Sequence, residues 1–229
     1  MTAPYSDAVV PVRADLRDAH LTAARTWAEP GGFWTGYERL AIVNEVRRAR
    51  RAEPLPPWVA PTTVDGLIEP GHVLPAPAVD AVWRLANHPG TTTQDWYQQL
   101  LDRGLDAHQY VELVSLVATA TCIDVFASTV DAEPVPLPAP AEGQPDGATA
   151  PGVSVSTHWV PTADVRGPNV GKALSAHPRA MELWLGLSDA QYVPMRAVSG
   201  DLSWDRGTID RSQIELLAAR TSLLNECFY

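Results

Sequence analysis

Twenty-one prolines divide this chain of 229 residues into stretches that can be helical and stretches that cannot. Proline lacks a backbone N–H and its ring collides with the preceding turn, so a helix interior excludes it. Two long segments are thereby closed to regular helix. Residues 53–75 are punctuated by proline and show no periodicity. Asp131 to Pro168 holds Pro134, Pro136, Pro138, Pro140, Pro145, Pro151 and Pro161. The second segment reads as a long connector, extended and polyproline-II-like over Pro134 to Pro140, with Val155, Trp159 and Val160 as anchors against the helices or a neighbouring subunit.

The remaining stretches carry helical periodicity. Arg13 to Ala28 places Leu16, Ala19, Ala23 and Trp27 on one stripe and stops at Pro30-Gly31-Gly32. Thr35 caps the next run, with Glu38 three residues on, the spacing of a capping box, and Leu40, Val43, Val46 and Arg47 continuing the period. Its arginines, Arg47, Arg48, Arg50 and Arg51, read as a solvated helix end opposing the dipole. Pro77 to Asn87 and Thr93 to Arg103 are two further helices. Asp106 caps a long run through Thr129 whose β-branched residues favour a strand, but whose length and cap favour a buried helix. Beyond the connector, Val170 to Ala176, Arg179 to Gly186 and Ser188 to Ser199 read as short helices broken by Pro178 and Gly186. The fold class is all-α.

The last strongly periodic run begins at Asp210, which accepts from the first-turn N–H groups and has Gln213 three residues beyond. Ile214, Leu217, Ala218, Thr221 and Leu224 fall on one stripe, and Leu216, Ala219 and Leu223 cover much of the remainder, so this helix is expected to be buried. A carboxylate inside it, Glu215, must then be paired, hydrogen-bonded or neutralised. Asn225-Glu226 is the expected turn, with Cys227-Phe228-Tyr229 opening another helix.

Glu215, the Asn-x-Cys turn, and Cys227 twelve residues after the glutamate resemble the AhpD-like alkylhydroperoxidase and carboxymuconolactone decarboxylase superfamily. Glu215 and Cys227 match two positions of its motif. A second cysteine and a histidine would fall at positions 230 and 234, which the 229 residues do not include. The resemblance implies that the second cysteine attacks a hydroperoxide, that Cys227 resolves the sulfenic acid as a disulfide, and that Glu215 and the histidine relay protons. It also implies a small-molecule hydroperoxide and a dithiol reductant as partners, with the 229 residues incomplete for turnover. The same superfamily offers a carboxymuconolactone decarboxylase-type lyase that needs no cysteine pair. A non-catalytic helical binding or oligomerisation module is the third reading.

The two best helices resemble each other. Setting Glu112 on Glu215 brings Asp106 near Asp210 and Asp124 onto Cys227, which suggests a duplicated helical unit. Residues 1–130 would be an N-terminal AhpD-like repeat without the cysteine motif, 131–168 the connector and 169–229 the C-terminal repeat. In that scheme the first copy is structural and Cys122 is a buried core thiol.

Composition narrows the partners. A formal charge of −10 and a pI near 4.9 disfavour nucleic acid and anionic membrane, which call for basic surfaces. No apolar run is read as approaching the roughly 20 residues that span a bilayer. Two cysteines are too few for a disulfide framework, and the N-terminus lacks a signal-peptide pattern, so a cytoplasmic location is expected. The six histidines show no metal-ligand spacing and the glycines no phosphate or dinucleotide fingerprint, so neither a metal nor a cofactor is expected. The eight tryptophans read as core and interface anchors, and a homo-oligomer is expected with an interface near the C-terminal helices and Trp159.

Overall fold

The computed structural model describes residues 4–167, 169–194 and 209–225. Among them are eight α-helices and no strand: α1 (Ala14–Ala28), α2 (Gly36–Arg51), α3 (Ala76–Asn87), α4 (Gln94–Asp102), α5 (Ala107–Thr129), α6 (Asn169–Lys172), α7 (Pro178–Gln191) and α8 (Arg211–Leu224). The all-α class is as expected. The chain divides into two compact units, Met1–Leu187 and Ser188–Tyr229. The sequence reading had placed the division after residue 168, at the end of the connector.

In the first unit α5 is the central element, packed against α1, α2 and α3. Its start is fixed by a complete capping box, in which Asp106 accepts from Gln109 N–H while the Gln109 side chain accepts from Asp106 N–H. Thr35 and Glu38 make the same reciprocal cap for α2. Leu113, Leu116, Ala120 and Ile123 of α5 are buried against Ile42, Val43 and Val46 of α2 and Val79 and Val82 of α3. Burying each of these leucine, isoleucine and valine side chains contributes about 1.5–3 kcal/mol. Trp27 Nε1–H donates to Thr119 Oγ1 at 3.1 Å and ties α1 to the middle of α5. By length and composition α5 could cross a membrane, contrary to the sequence reading, but more than half of its most apolar window is buried here.

The arginines closing α2 are not simply solvated. Arg47 makes a two-pronged bond to Asp124, at 2.8 and 2.9 Å, and reaches the Val135 carbonyl at 2.9 Å. Arg50 donates to the Ala86 carbonyl. Their role is to join α2 to α5, to α3 and to the start of the connector.

The connector carries no helix from Asp131 to Gly167 and lies along the first unit. Val135 is fully buried, Ala141 N–H donates to Ala28 O at 2.8 Å, and Gly147 N–H to Gly32 O at 2.8 Å. Gly36 is required at this crossing, because a Cβ there would collide with the carbonyl oxygens of Ala28 and Ala141. Of the expected anchors, Val160 packs on the core, whereas Val155 and Trp159 are exposed. α7 runs through Gly186 without a break, so the two helices expected there are one as far as Gln191. Residues 195–199, in the helix expected from Ser188 to Ser199, lie outside the described residues.

In the second unit α8 has the expected bounds, with the Asp210–Gln213 capping box at one end and Asn225 at the other. Its expected burial is not found. Ile214 is its one buried residue, while Leu216, Leu217, Leu223 and Leu224 are 56–75% exposed. Apolar content alone signalled burial, and that signal does not distinguish a core helix from one with an exposed leucine face.

Candidate functional site

The sequence-derived site is only partly visible. Cys227 lies outside the described residues. Glu215 is on α8 with its side chain 47% exposed, accepting from Tyr192 Oη–H at 2.8 Å and from Arg211 Nε–H at 2.5 Å. Burial, followed by the bond to Glu215, raises the Tyr192 hydroxyl above its ordinary value. The carboxylate is therefore paired at the surface rather than isolated in a core. Cys122, expected to be buried, is an exposed residue of α5, although desolvation of its sulfur still holds the thiol above the usual range.

The first unit contains a more enclosed cluster. Glu112 sits in the second turn of α5 with its side chain 3% exposed. Its Oε1 accepts from Arg39 Nη1, and its Oε2 accepts from the Phe33 backbone N–H at 2.7 Å. Arg39 is fixed by the first turn of α2, and its Nη2 donates to Thr26 O at 3.2 Å. Burial pulls the Arg39 guanidinium down from its ordinary value, opposed by Glu112 and assisted by Arg179. Gly31 permits the pair to lie against the backbone, since a Cβ there would overlap Glu112 Oε1 and Arg39 Nη1. The Pro30-Gly31-Gly32 sequence that ends α1 thus also admits the ion pair.

Two histidines flank the cluster. His177 directly precedes Pro178, which opens α7 in the position where a missing N–H costs nothing. Its Nε2 is 3.1 Å from Nδ1 of His108, at the start of α5. The Phe33 ring stacks on His108, with centroids 4.9 Å apart and planes 12° apart, and lies 5.1 Å from His177. Burial first, and then His108, lowers the His177 pKa to about 4, so its ring is neutral at pH 7. A cavity of about 100 Å³ borders Arg39, Glu112, Ser115, His177, Arg179 and Leu183. A buried carboxylate, a guanidinium and a neutral imidazole can together orient a small polar molecule and exchange protons with it.

Sequence reasoning did not assemble these residues. Arg39, Gly31, Phe33, His108 and His177 come from four chain segments and share no spacing. One signal was present: Glu112 is the only charged residue between Asp106 and Asp124. A carboxylate in such a run requires a partner, and only a cation from another element could supply one.

The proposed duplication meets a register problem. With the caps of α5 and α8 aligned, Asp106 on Asp210 and Gln109 on Gln213, Glu112 falls on Leu216 rather than on Glu215. One residue is about 100° around a helix, so the two carboxylates leave their helices in different directions. No protein-family model, no curated protein and no solved structure matches this chain.

Proposed function

We propose that the C-terminal segment belongs to a thiol-dependent peroxidase in which Glu215 relays protons and Cys227 resolves the oxidised thiol. The supporting observation is the fixed carboxylate. Tyr192 and Arg211 each bind one oxygen of Glu215, on a helix that ends at Leu224, three residues before Cys227. A carboxylate that is oriented yet open to solvent suits proton relay through water better than one sealed in a core.

The chemistry needs two thiols. A thiolate attacks one peroxide oxygen, the O–O bond breaks, and the alkoxide leaves as alcohol after taking a proton, so the sulfur becomes a sulfenic acid. Cys227 then displaces hydroxide from that sulfur, water is released, and a disulfide remains. An external dithiol returns both sulfurs to thiols. In this scheme the attacking thiol stands at position 230.

Stopped-flow consumption of an alkyl hydroperoxide with excess dithiol tests the reading. The 229-residue chain is expected to turn over little. A chain extended with cysteine at position 230 and histidine at 234 is expected to be active, to lose disulfide formation on Cys227→Ser, and to slow on Glu215→Gln while folding normally. Full activity of the 229-residue chain that survives Cys227→Ser would overturn the assignment.

A further inference from the structure

The end of the connector builds a second cavity, remote in sequence from Glu112 and Arg39. Ser154 and Thr162 form an isolated antiparallel bridge, each donating its N–H to the other's carbonyl at 3.0 Å, so the residues between them are held as a closed loop. Ala163 N–H donates to Ser175 Oγ at 3.0 Å, which ties the base of that loop to the segment after α6. The loop contributes Thr157, His158, Trp159 and Val160, and α6 contributes Asn169 and Lys172, to the lining of a cavity of about 280 Å³.

The polar groups of this lining select the charge of a ligand. Lys172 is partly buried, yet its ammonium has neither an ion pair nor a hydrogen bond among the described residues. Arg39 and Arg179, by contrast, have their charges met by Glu112 and Asp146. No aspartate or glutamate borders the cavity, so nothing in its lining neutralises Lys172. The indole N–H of Trp159 and the His158 ring are likewise without hydrogen-bond partners among the described residues. An ammonium without a counter-ion, beside further open donors, favours an anion, and a single cation matches a single negative charge.

Size and the apolar wall narrow it further. A volume of about 280 Å³ exceeds the ~150 Å³ of a cavity that accepts benzene, and falls just below the roughly 300–1,000 Å³ of sites for drug-sized molecules. Trp159 is 44% exposed and offers an uncovered indole, against which an aromatic ring packs offset or edge-on. We propose that this cavity binds a monocarboxylate carrying one aromatic ring, with the carboxylate on Lys172 and the ring against Trp159. The site stands independently of the thiol reading, since it lies within residues 1–187 and uses neither Glu215 nor Cys227.

Titration calorimetry of the full chain with phenylacetate at pH 7 and constant ionic strength tests this. Saturable binding with Kd on the order of 1 mM is expected for so small a ligand. Lys172→Gln should weaken it about five- to tenfold, Lys172→Arg should retain most of it, and Trp159→Ala should weaken it about tenfold. Circular dichroism verifies that the variants fold, and Glu215→Gln should bind like the parent chain. Lys172 is the chain's single lysine, so its acetylation by an activated ester, followed in the Lys172 peptide by mass spectrometry, reads the site directly. Saturating phenylacetate should slow that reaction severalfold. Absence of saturable heat up to about 50 mM phenylacetate, or binding indifferent to Lys172→Gln, would overturn the proposal. Equal binding by phenylacetamide, which lacks the charge, by cyclohexylacetate, which lacks the aromatic ring, or by inorganic phosphate would overturn it as well.

Discussion

The Phe33 backbone N–H donates to Glu112 Oε2 at 2.7 Å, across a separation of 79 residues, while the other carboxylate oxygen is held by Arg39. One side chain thus links the loop after α1, the start of α2 and the core of α5. Its removal has two consequences, a buried guanidinium without its counter-ion and a buried amide without its acceptor. Glu112→Gln keeps an acceptor for Phe33 but leaves Arg39 uncompensated, and should cost about 3–5 kcal/mol. The double variant Arg39→Met/Glu112→Gln removes the charge and should regain much of that loss. Urea unfolding followed by the fluorescence of the buried Trp27 and Trp34 measures both. Equal stability of Glu112→Gln and the parent chain would show that the pair has no structural weight.

Gly31→Ala tests the same cluster through sterics alone. Its Cβ would occupy the space of the Glu112 carboxylate and the Arg39 guanidinium, which are held in place by each other. A destabilisation of about 1–3 kcal/mol is expected. Gly186→Ala is the contrast. Gly186 is an exposed residue of α7 whose added Cβ meets nothing within 4 Å, so the change should stabilise by about 0.5–1 kcal/mol. Thermal melts of the two variants should move in opposite directions.

Helices and their caps were legible in the sequence because they depend on local chemistry. Thr35 with Glu38, Asp106 with Gln109 and Asp210 with Gln213 each satisfy first-turn donors within four residues. Burial and long-range pairing were less legible. The rule that an apolar run cannot hide an unpaired carboxylate was applied to Glu215, which the structure exposes, when it holds for Glu112, which the structure buries. The difference lies in the neighbours. Glu112 has no charged residue of its own run to meet, whereas Arg211 stands one turn before Glu215 and pairs with it locally. His108 and His177 meet only because the turn before α7 returns to the start of α5, and no spacing rule encodes that return.

Acid should unfold the first unit through two buried histidines. His20, 2.5 Å from the Tyr5 hydroxyl, and His177 are each lowered to about 4, mainly by burial. A histidine in the unfolded chain protonates near 6.5, so below that pH the unfolded state binds protons that the folded state refuses. The stabilisation is complete above about pH 6.5, declines as pH falls toward 4, and is exhausted below it. Each histidine adds up to about 1.4 kcal/mol per pH unit to the slope in that window. Urea midpoints between pH 7.5 and 4 should show a shallower decline for His177→Gln than for the parent chain, and an unchanged slope would exclude His177 as a contributor.

The leucine face of α8 leads to the expectation of self-association. Leu216 and Leu223, and Leu217 and Leu224, are each seven residues apart, so the four side chains form two neighbouring rows about 100° apart on the helix. They are 69%, 75%, 56% and 70% exposed. Scattered exposed leucines are ordinary, but four in two neighbouring rows make a continuous apolar face of the kind that a second helix covers. If α8 pairs with its counterpart in a second copy, the face is covered and the homo-oligomer expected from the sequence has a physical basis. Sedimentation velocity of the full chain should then show a dimer or higher species at micromolar concentration that dissociates on Leu216→Glu and Leu223→Glu together. These positions are solvent-facing within one chain, so the variant monomer should retain its helix content by circular dichroism. A parent chain that sediments as a monomer throughout would leave the face without this role, and an oligomer indifferent to the two glutamates would place its interface elsewhere.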